Sequence, residues 1–128
     1  MKIIKIIIPI VLLFIISLSV NAQVTNKRIQ FKHGNVTATI MQGISEGVVD
    51  TYLVRGKANQ HMIVSIMSPD DNTVFQILNK KKGKYLSGAE NGDNSKNWEG
   101  DLPSSGDYKI FVNTTQGYAQ YKLRVTIE

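Results

Sequence analysis

The sequence predicts an all-β fold, an antiparallel and jelly-roll-like β-sandwich of about eight strands. Three observations predict it. Tyr108, Ile110 and Val112 alternate with Asp107, Lys109 and Phe111, and Tyr121, Leu123, Val125 and Ile127 alternate with Lys122, Arg124 and Thr126. A period of two sends one set of side chains inward and the other outward, so this last quarter of the chain reads as an amphipathic antiparallel hairpin. Shorter runs of the same kind recur upstream, separated by Gly, Pro, Asn and Asp, which suit turn dihedrals. No segment sustains a helical period with caps at both ends.

The first residues read as an address. Lys2 and Lys5 precede the nearly unbroken apolar run Ile6–Leu18, and Val20 and Ala22 supply the small-residue pattern of a cleavage site. Residues 1–22 are therefore expected to be a secretory signal peptide, cut before Gln23. The apolar run is too short for a membrane anchor, which needs roughly 18–20 residues. No membrane association is expected after cleavage, and the location implied is periplasmic or secreted. Residues 23–128 then form one domain, long enough to bury a core. The chain has no cysteine, so an exported domain must be held by that core alone.

Taken in order, Gln23–Lys27 reads as a loose tail. The candidate strands are Arg28–Phe31, Ala38–Gln42, Val48–Arg55, His61–Ser68, Val74–Leu78, Asn97–Leu102, Tyr108–Asn113 and Gln120–Ile127. The breaks carry Gly34, Gly43 with Gly47, Asn59, Pro69-Asp70-Asp71-Asn72, Gly83, the Gly88–Asn94 stretch, Gly106 and Gly117. The expected core is Phe31, Ile40, Tyr52, Val54, Met62, Val64, Ile66, Phe75, Ile77, Tyr108, Ile110, Val112, Tyr121, Leu123, Val125 and Ile127, each worth roughly 1.5–3 kcal/mol when fully buried.

Two of the fifteen basic residues lie in the signal segment, leaving thirteen against ten acids, an ordinary balance for a soluble domain. No basic helix or interleaved aromatic stripe points to nucleic acid. The two histidines, His33 and His61, have no nucleophile elbow or triad pattern near them and read as exposed polar residues. Glu46, Glu90, Glu99 and Asp101 are acids without the paired placement that glycoside hydrolysis needs. With no Cys and two isolated His there is no zinc pattern. Asp70, Asp71 and Asn72, or Asp93 and Asn94, offer oxygens of the kind calcium takes, but without the spacing of a calcium loop, and a tight turn is the better reading. The chain is thus expected to be non-enzymatic, with no cofactor and no metal. Lys80, Lys81, Lys82 and Lys84 form the one charge run; it reads as a solvated loop that blunts a sheet edge, with attraction of an anionic polymer as the alternative. Trp98 follows the polar Gly88–Asn97 stretch and either stacks on a sugar or closes the end of the sandwich, and packing is the preferred reading.

Four blocks in order, RIQFKHGNVTATIMQG, DTYLVRGKANQHMIVSI, LPSSGDYKIFV and YKLRVTI, cover Arg28 to Ile127. Their most specific elements are Asp50-Thr51-Tyr52, Leu102-Pro103 and Gly106-Asp107-Tyr108. Together they resemble the bacterial periplasmic inhibitors of goose-type (g-type) lysozyme and, more loosely, the pre-peptidase C-terminal domains of secreted peptidases. The resemblance implies a β-sandwich and a protein partner, a g-type lysozyme whose cleft is blocked by loops from one end of the fold. It places the contacts at Glu46 and Gly47 and at Asn113, Thr114, Thr115, Gln116 and Tyr118. The family carries arginines in the final loop and an aromatic residue in its neighbour; here Asn113–Tyr118 has no basic residue, and Glu46 and Gly47 stand where that aromatic would be. The alternative function is a carbohydrate- or peptidoglycan-binding module using Lys84, Tyr85 and Trp98. A domain that stabilises a partner protease is a third reading.

Overall fold

The computed structural model describes residues 26–128; the signal peptide and its cleavage point lie outside the described residues. The chain folds into nine strands: β1 (Asn26–Arg28), β2 (Thr37–Ile44), β3 (Asp50–Gly56), β4 (His61–Met67), β5 (Thr73–Asn79), β6 (Lys84–Tyr85), β7 (Asn97–Asp101), β8 (Gly106–Thr114) and β9 (Ala119–Ile127). They form a five-stranded sheet in the order β1-β3-β8-β5-β6 and a four-stranded sheet in the order β2-β9-β4-β7. All pairings are antiparallel except β1 with β3.

Among these nine strands, every consecutive pair except β5 and β6 switches sheets. That corrects the terminal hairpin. β8 and β9 do alternate as the sequence predicts, but β8 pairs β3 and β5 while β9 pairs β2 and β4. Their apolar faces meet across the core instead of lying side by side. Period two specifies which face is buried, and two strands with buried faces can satisfy it equally well from opposite sheets.

The expected core is buried throughout except for Phe31 and Ile40, which pack against it half-buried. Ile29, Ile44, Leu86, Ala89, Leu102 and Ala119 complete it. Two regions also differ. Asn26 and Lys27 belong to β1 and not to a loose tail. The short β6 lies inside the expected lysine loop, so Lys80, Lys81 and Lys82 ride the β5–β6 turn and Lys84 stands on a sheet edge. Gly83 closes that turn with a φ of 64°, and its N–H bonds to Asn79 O.

The motif residues turn out to be anchors. Tyr108 is fully buried; its hydroxyl donates to Ser104 O at 2.6 Å and accepts from Ser104 N–H. This locks the Leu102–Gly106 corner where the chain crosses between sheets. Asp107 holds β1 in place through a two-pronged pair with Arg28, both bonds at 3.0 Å, and the guanidinium keeps the Asp107 carboxyl below its usual range.

His61 is not a simple exposed histidine. It stands opposite Asp101 on the neighbouring β7, with Nδ1 3.0 Å from Asp101 and Nε2 3.0 Å from Glu99. The Asp101 bond first, then the Glu99 bond, raises its pKa. A neutral imidazole donates from one nitrogen only, whereas the imidazolium satisfies both carboxylates. Stability from this clamp is therefore fully present below the unfolded pKa of about 6.5 and is lost as pH rises through the higher folded value. His61→Gln should remove that part of the pH dependence. In thermal melts from acid to mildly alkaline pH, the wild type should lose more stability than the variant, and parallel curves would contradict the clamp.

Candidate functional site

Strand register decides which loops share an end. Asp50 lies opposite Val112, Thr73 opposite Thr114 and Ile44 opposite Ala119. The β2–β3 loop (residues 45–49), the β4–β5 loop (68–72) and the β8–β9 loop (115–118) consequently meet at one end of the sandwich. Glu46, Gly47, Asn113, Thr114, Thr115, Gln116 and Tyr118 are thus brought to a single end, although about 65 residues of chain separate the two groups.

Asn72 ties this end together. Its side-chain amide donates to Gln116 O at 2.9 Å and Tyr118 O at 3.1 Å. Its backbone carbonyl accepts the Thr115 N–H at 2.9 Å, and its own N–H donates to Ser68 Oγ. Sequence analysis reads Asn72 as a turn residue and misses this role, because its partners lie more than forty positions away. Asp71 takes a positive φ of 52°, which Asp tolerates better than most residues, and its carboxylate accepts Lys96 Nζ at 2.8 Å. The Ser68–Asn72 segment is therefore built as a bonded turn. Among the described residues no group of three or more His, Cys, Asp or Glu side chains is arranged for a metal ion.

Tyr118 lies over Gly43 at the end of β2, and a Cβ there would run into its hydroxyl. The ring remains 58% exposed, and the neighbouring loop shows Val48 and Val49 half-exposed. Gly47 turns the β2–β3 loop with a φ of 80°. Thr114 is buried, and its hydroxyl is without a hydrogen-bond partner. The end therefore presents an aromatic ring, two valines and exposed amide and hydroxyl groups, with a carboxylate at Glu46.

Beneath these loops the two sheets are joined by hydroxyls. Tyr121 of β9 donates to Asp50 at 2.6 Å, so Tyr52 of β3 supplies the proton in the short Tyr52–Tyr121 hydrogen bond. Burial first, then the bond to Asp50, pushes the Tyr121 pKa far above the phenol range. Burial likewise raises Tyr52. Both phenols stay protonated at any physiological pH. The chain Tyr52–Tyr121–Asp50 fixes the first residue after one loop against the strand that follows the other.

The alternative set is not assembled. Lys84 and Tyr85 lie on the outer edge strand β6, where Tyr85 packs at a tilt on Phe111 with ring centres 6.4 Å apart. Trp98 lies on β7 in the other sheet, opposite Val64 and packed against the core. Its indole N–H donates to Ser87 O at 2.9 Å, and its ring covers Gly100 so closely that a Cβ there would sit 3.0 Å away. Trp98 is a packing residue in this geometry.

No family model matches the sequence, and no curated protein matches it. Solved structures do. A periplasmic inhibitor of g-type lysozyme, PliG from Aeromonas hydrophila, superposes with a TM-score of 0.68 and 24% identity, over 80% of this chain and 96% of that one. PliG from Salmonella Typhimurium gives 0.65 and 19%, over 80% and 97%. The pre-peptidase C-terminal domain of a Bacillus anthracis collagenase gives 0.60 and 18%, over 80% and 94%.

The tyrosine bridge makes a direct prediction. Tyr121→Phe leaves the half-buried Asp50 carboxylate without its donor, and a charged hydrogen bond of this kind contributes about 1.5–3 kcal/mol. Urea unfolding should show a loss of that size with an unchanged slope; a loss under about 0.5 kcal/mol would mean that water replaces the bond. The fold is that of the periplasmic g-type lysozyme inhibitors and of the pre-peptidase C-terminal domain.

Proposed function

We propose that this protein is an exported, non-enzymatic binding protein of the periplasm that inhibits a g-type lysozyme by placing its end loops in the enzyme's cleft. The observation that carries the reading is the pre-built loop end, present on a fold shared with PliG proteins over nearly their whole length. Asn72 already holds the β8–β9 loop in place. Binding would then cost little ordering entropy, which is what lets a small surface bind tightly.

The chemistry of the plug follows from the residues present. Asn113–Tyr118 carries no cation, so contact rests on the Tyr118 ring, the valines of the β2–β3 loop and the amides of Asn113 and Gln116. A rigid aromatic with a polar tip is of the kind enriched among energetic anchors of protein interfaces. Thr115 is engaged with Asn72 and acts by holding the loop.

The test is residual lysozyme activity on bacterial cell walls, titrated with the protein, using g-type and chicken-type enzymes in parallel. Selective loss of g-type activity near equal stoichiometry is expected. Tyr118→Ala should weaken inhibition by about tenfold or more while leaving the melting temperature unchanged, since the ring is exposed. Full g-type activity at micromolar protein would refute the proposal.

A further inference from the structure

Four strands form the described edges of the two sheets, and one of them is unlike the others. β1 is three residues long with Lys27 and Arg28; β6 is two residues with Lys84; β7 carries Glu99 and Asp101. Shortness and charge are how proteins keep sheet edges from pairing with other chains. β2 has neither protection. Its eight residues, Thr37–Ile44, contain no charged residue and no proline, and its one neighbour among the described residues is β9. A strand with a single partner turns the amides and carbonyls of alternate residues outward. The side chain of Met41 on this strand is also 74% exposed.

Among the described residues the sandwich is open beside this edge. Ala38 and Ile40 point inward yet stay half-buried, whereas the inward residues of β8 and β9 are buried. A cleft of about 450 Å³ lies between β1 and β2, with Ile29, Ala38 and Ile40 among its apolar lining and Lys27, Arg28 and Lys32 among its polar lining. No carboxylate lines it. Asp107 holds Arg28, while Lys27 and Lys32 make no ion pair among the described residues.

We infer that the free edge of β2 accepts an extended acidic segment of another protein as an added strand. Backbone hydrogen bonds to β2 would supply affinity, the alternate side chains facing the cleft would carry carboxylates to Lys27 and Lys32 with their methylene stems over Ala38 and Ile40, and the intervening apolar side chains would lie beside Met41 on the outer face. A second copy of this chain fits less well, because β2 carries no carboxylate to meet the lysines. The cleft lines the Thr37–Ile40 half of the strand, which lies toward the end opposite the loops, and Lys27 and Lys32 stand outside the three loops of the proposed inhibitory end.

The probe is a capped peptide of alternating Val and Glu, about eight residues long to match β2. It is added to protein expressed from the full sequence, with binding read by calorimetry and by amide chemical shifts. Micromolar binding with shifts along Thr37–Ile44 is expected. The Lys27→Glu/Lys32→Glu variant should bind about tenfold or more weakly and still inhibit lysozyme as the wild type does. Of two peptides N-methylated at alternate residues, one on each edge, one should lose binding. Undiminished binding of both methylated peptides, equal binding of a Val–Lys peptide, or no binding at millimolar peptide would overturn the inference. So would sedimentation as a dimer with β2 protected, which would make a second copy the occupant.

Discussion

Side-chain packing between the sheets is the interaction on which this structure depends. Among the described residues no strand pairing joins the five-stranded sheet to the four-stranded one, and the chain has no cysteine to cross-link them. Because β8, β9 and most of their neighbours switch sheets at each loop, both sheets must present continuous apolar faces along their whole length. Val54, Val64, Ile77, Ile110, Val112, Leu123 and Val125 meet that demand with no exposed surface. Sheet switching has a second consequence. Every crossing loop spans the thickness of the core, so the loops crowd at the two ends, and an end surface is built from segments distant in sequence.

Among the described residues, polar groups that enter this apolar layer are paired, with the Thr114 hydroxyl as the exception. Tyr52, Tyr121 and Asp50 satisfy one another beneath the loop end, and Tyr108 satisfies the Ser104 corner at the other. An unpaired hydroxyl at such a depth costs about 1–3 kcal/mol, so each group fixes its neighbours in one arrangement. The motif residues Asp50, Tyr52, Asp107 and Tyr108 thereby carry the fold, and a resemblance built on them is first a resemblance of scaffold. The surfaces proposed to contact other molecules are assembled from different residues: Tyr118 and the valines at one end, β2 with the nearby Lys27 and Lys32 at one edge.

Much of the fold was legible because burial imposes period two. β4, β8 and β9 alternate, β3 and β5 do so from Tyr52 and Phe75 onward, and their inward residues form the core as expected. Pairing was not legible, since alternation carries no record of the neighbouring strand, and the terminal hairpin became two strands facing each other. β1 and β6 were poorly legible: only Arg28 of the expected Arg28–Phe31 strand lies in β1, whose three residues are all exposed, and Lys84-Tyr85 is too short to alternate. At the loop end, the resemblance pointed to the β2–β3 and β8–β9 loops, but Asn72 stayed hidden because its side-chain amide bonds main-chain carbonyls more than forty positions away. His61 was hidden likewise, because its partners Glu99 and Asp101 are identified only by the register of β4 against β7.

The most direct test of the whole account is amide hydrogen exchange on a mixture of this protein with a g-type lysozyme. Slowed exchange confined to residues 45–49, 68–72 and 115–118 would place the enzyme on the bonded loop end, as the account predicts. Unchanged exchange across those three loops, or protection only elsewhere on the sandwich, would contradict it.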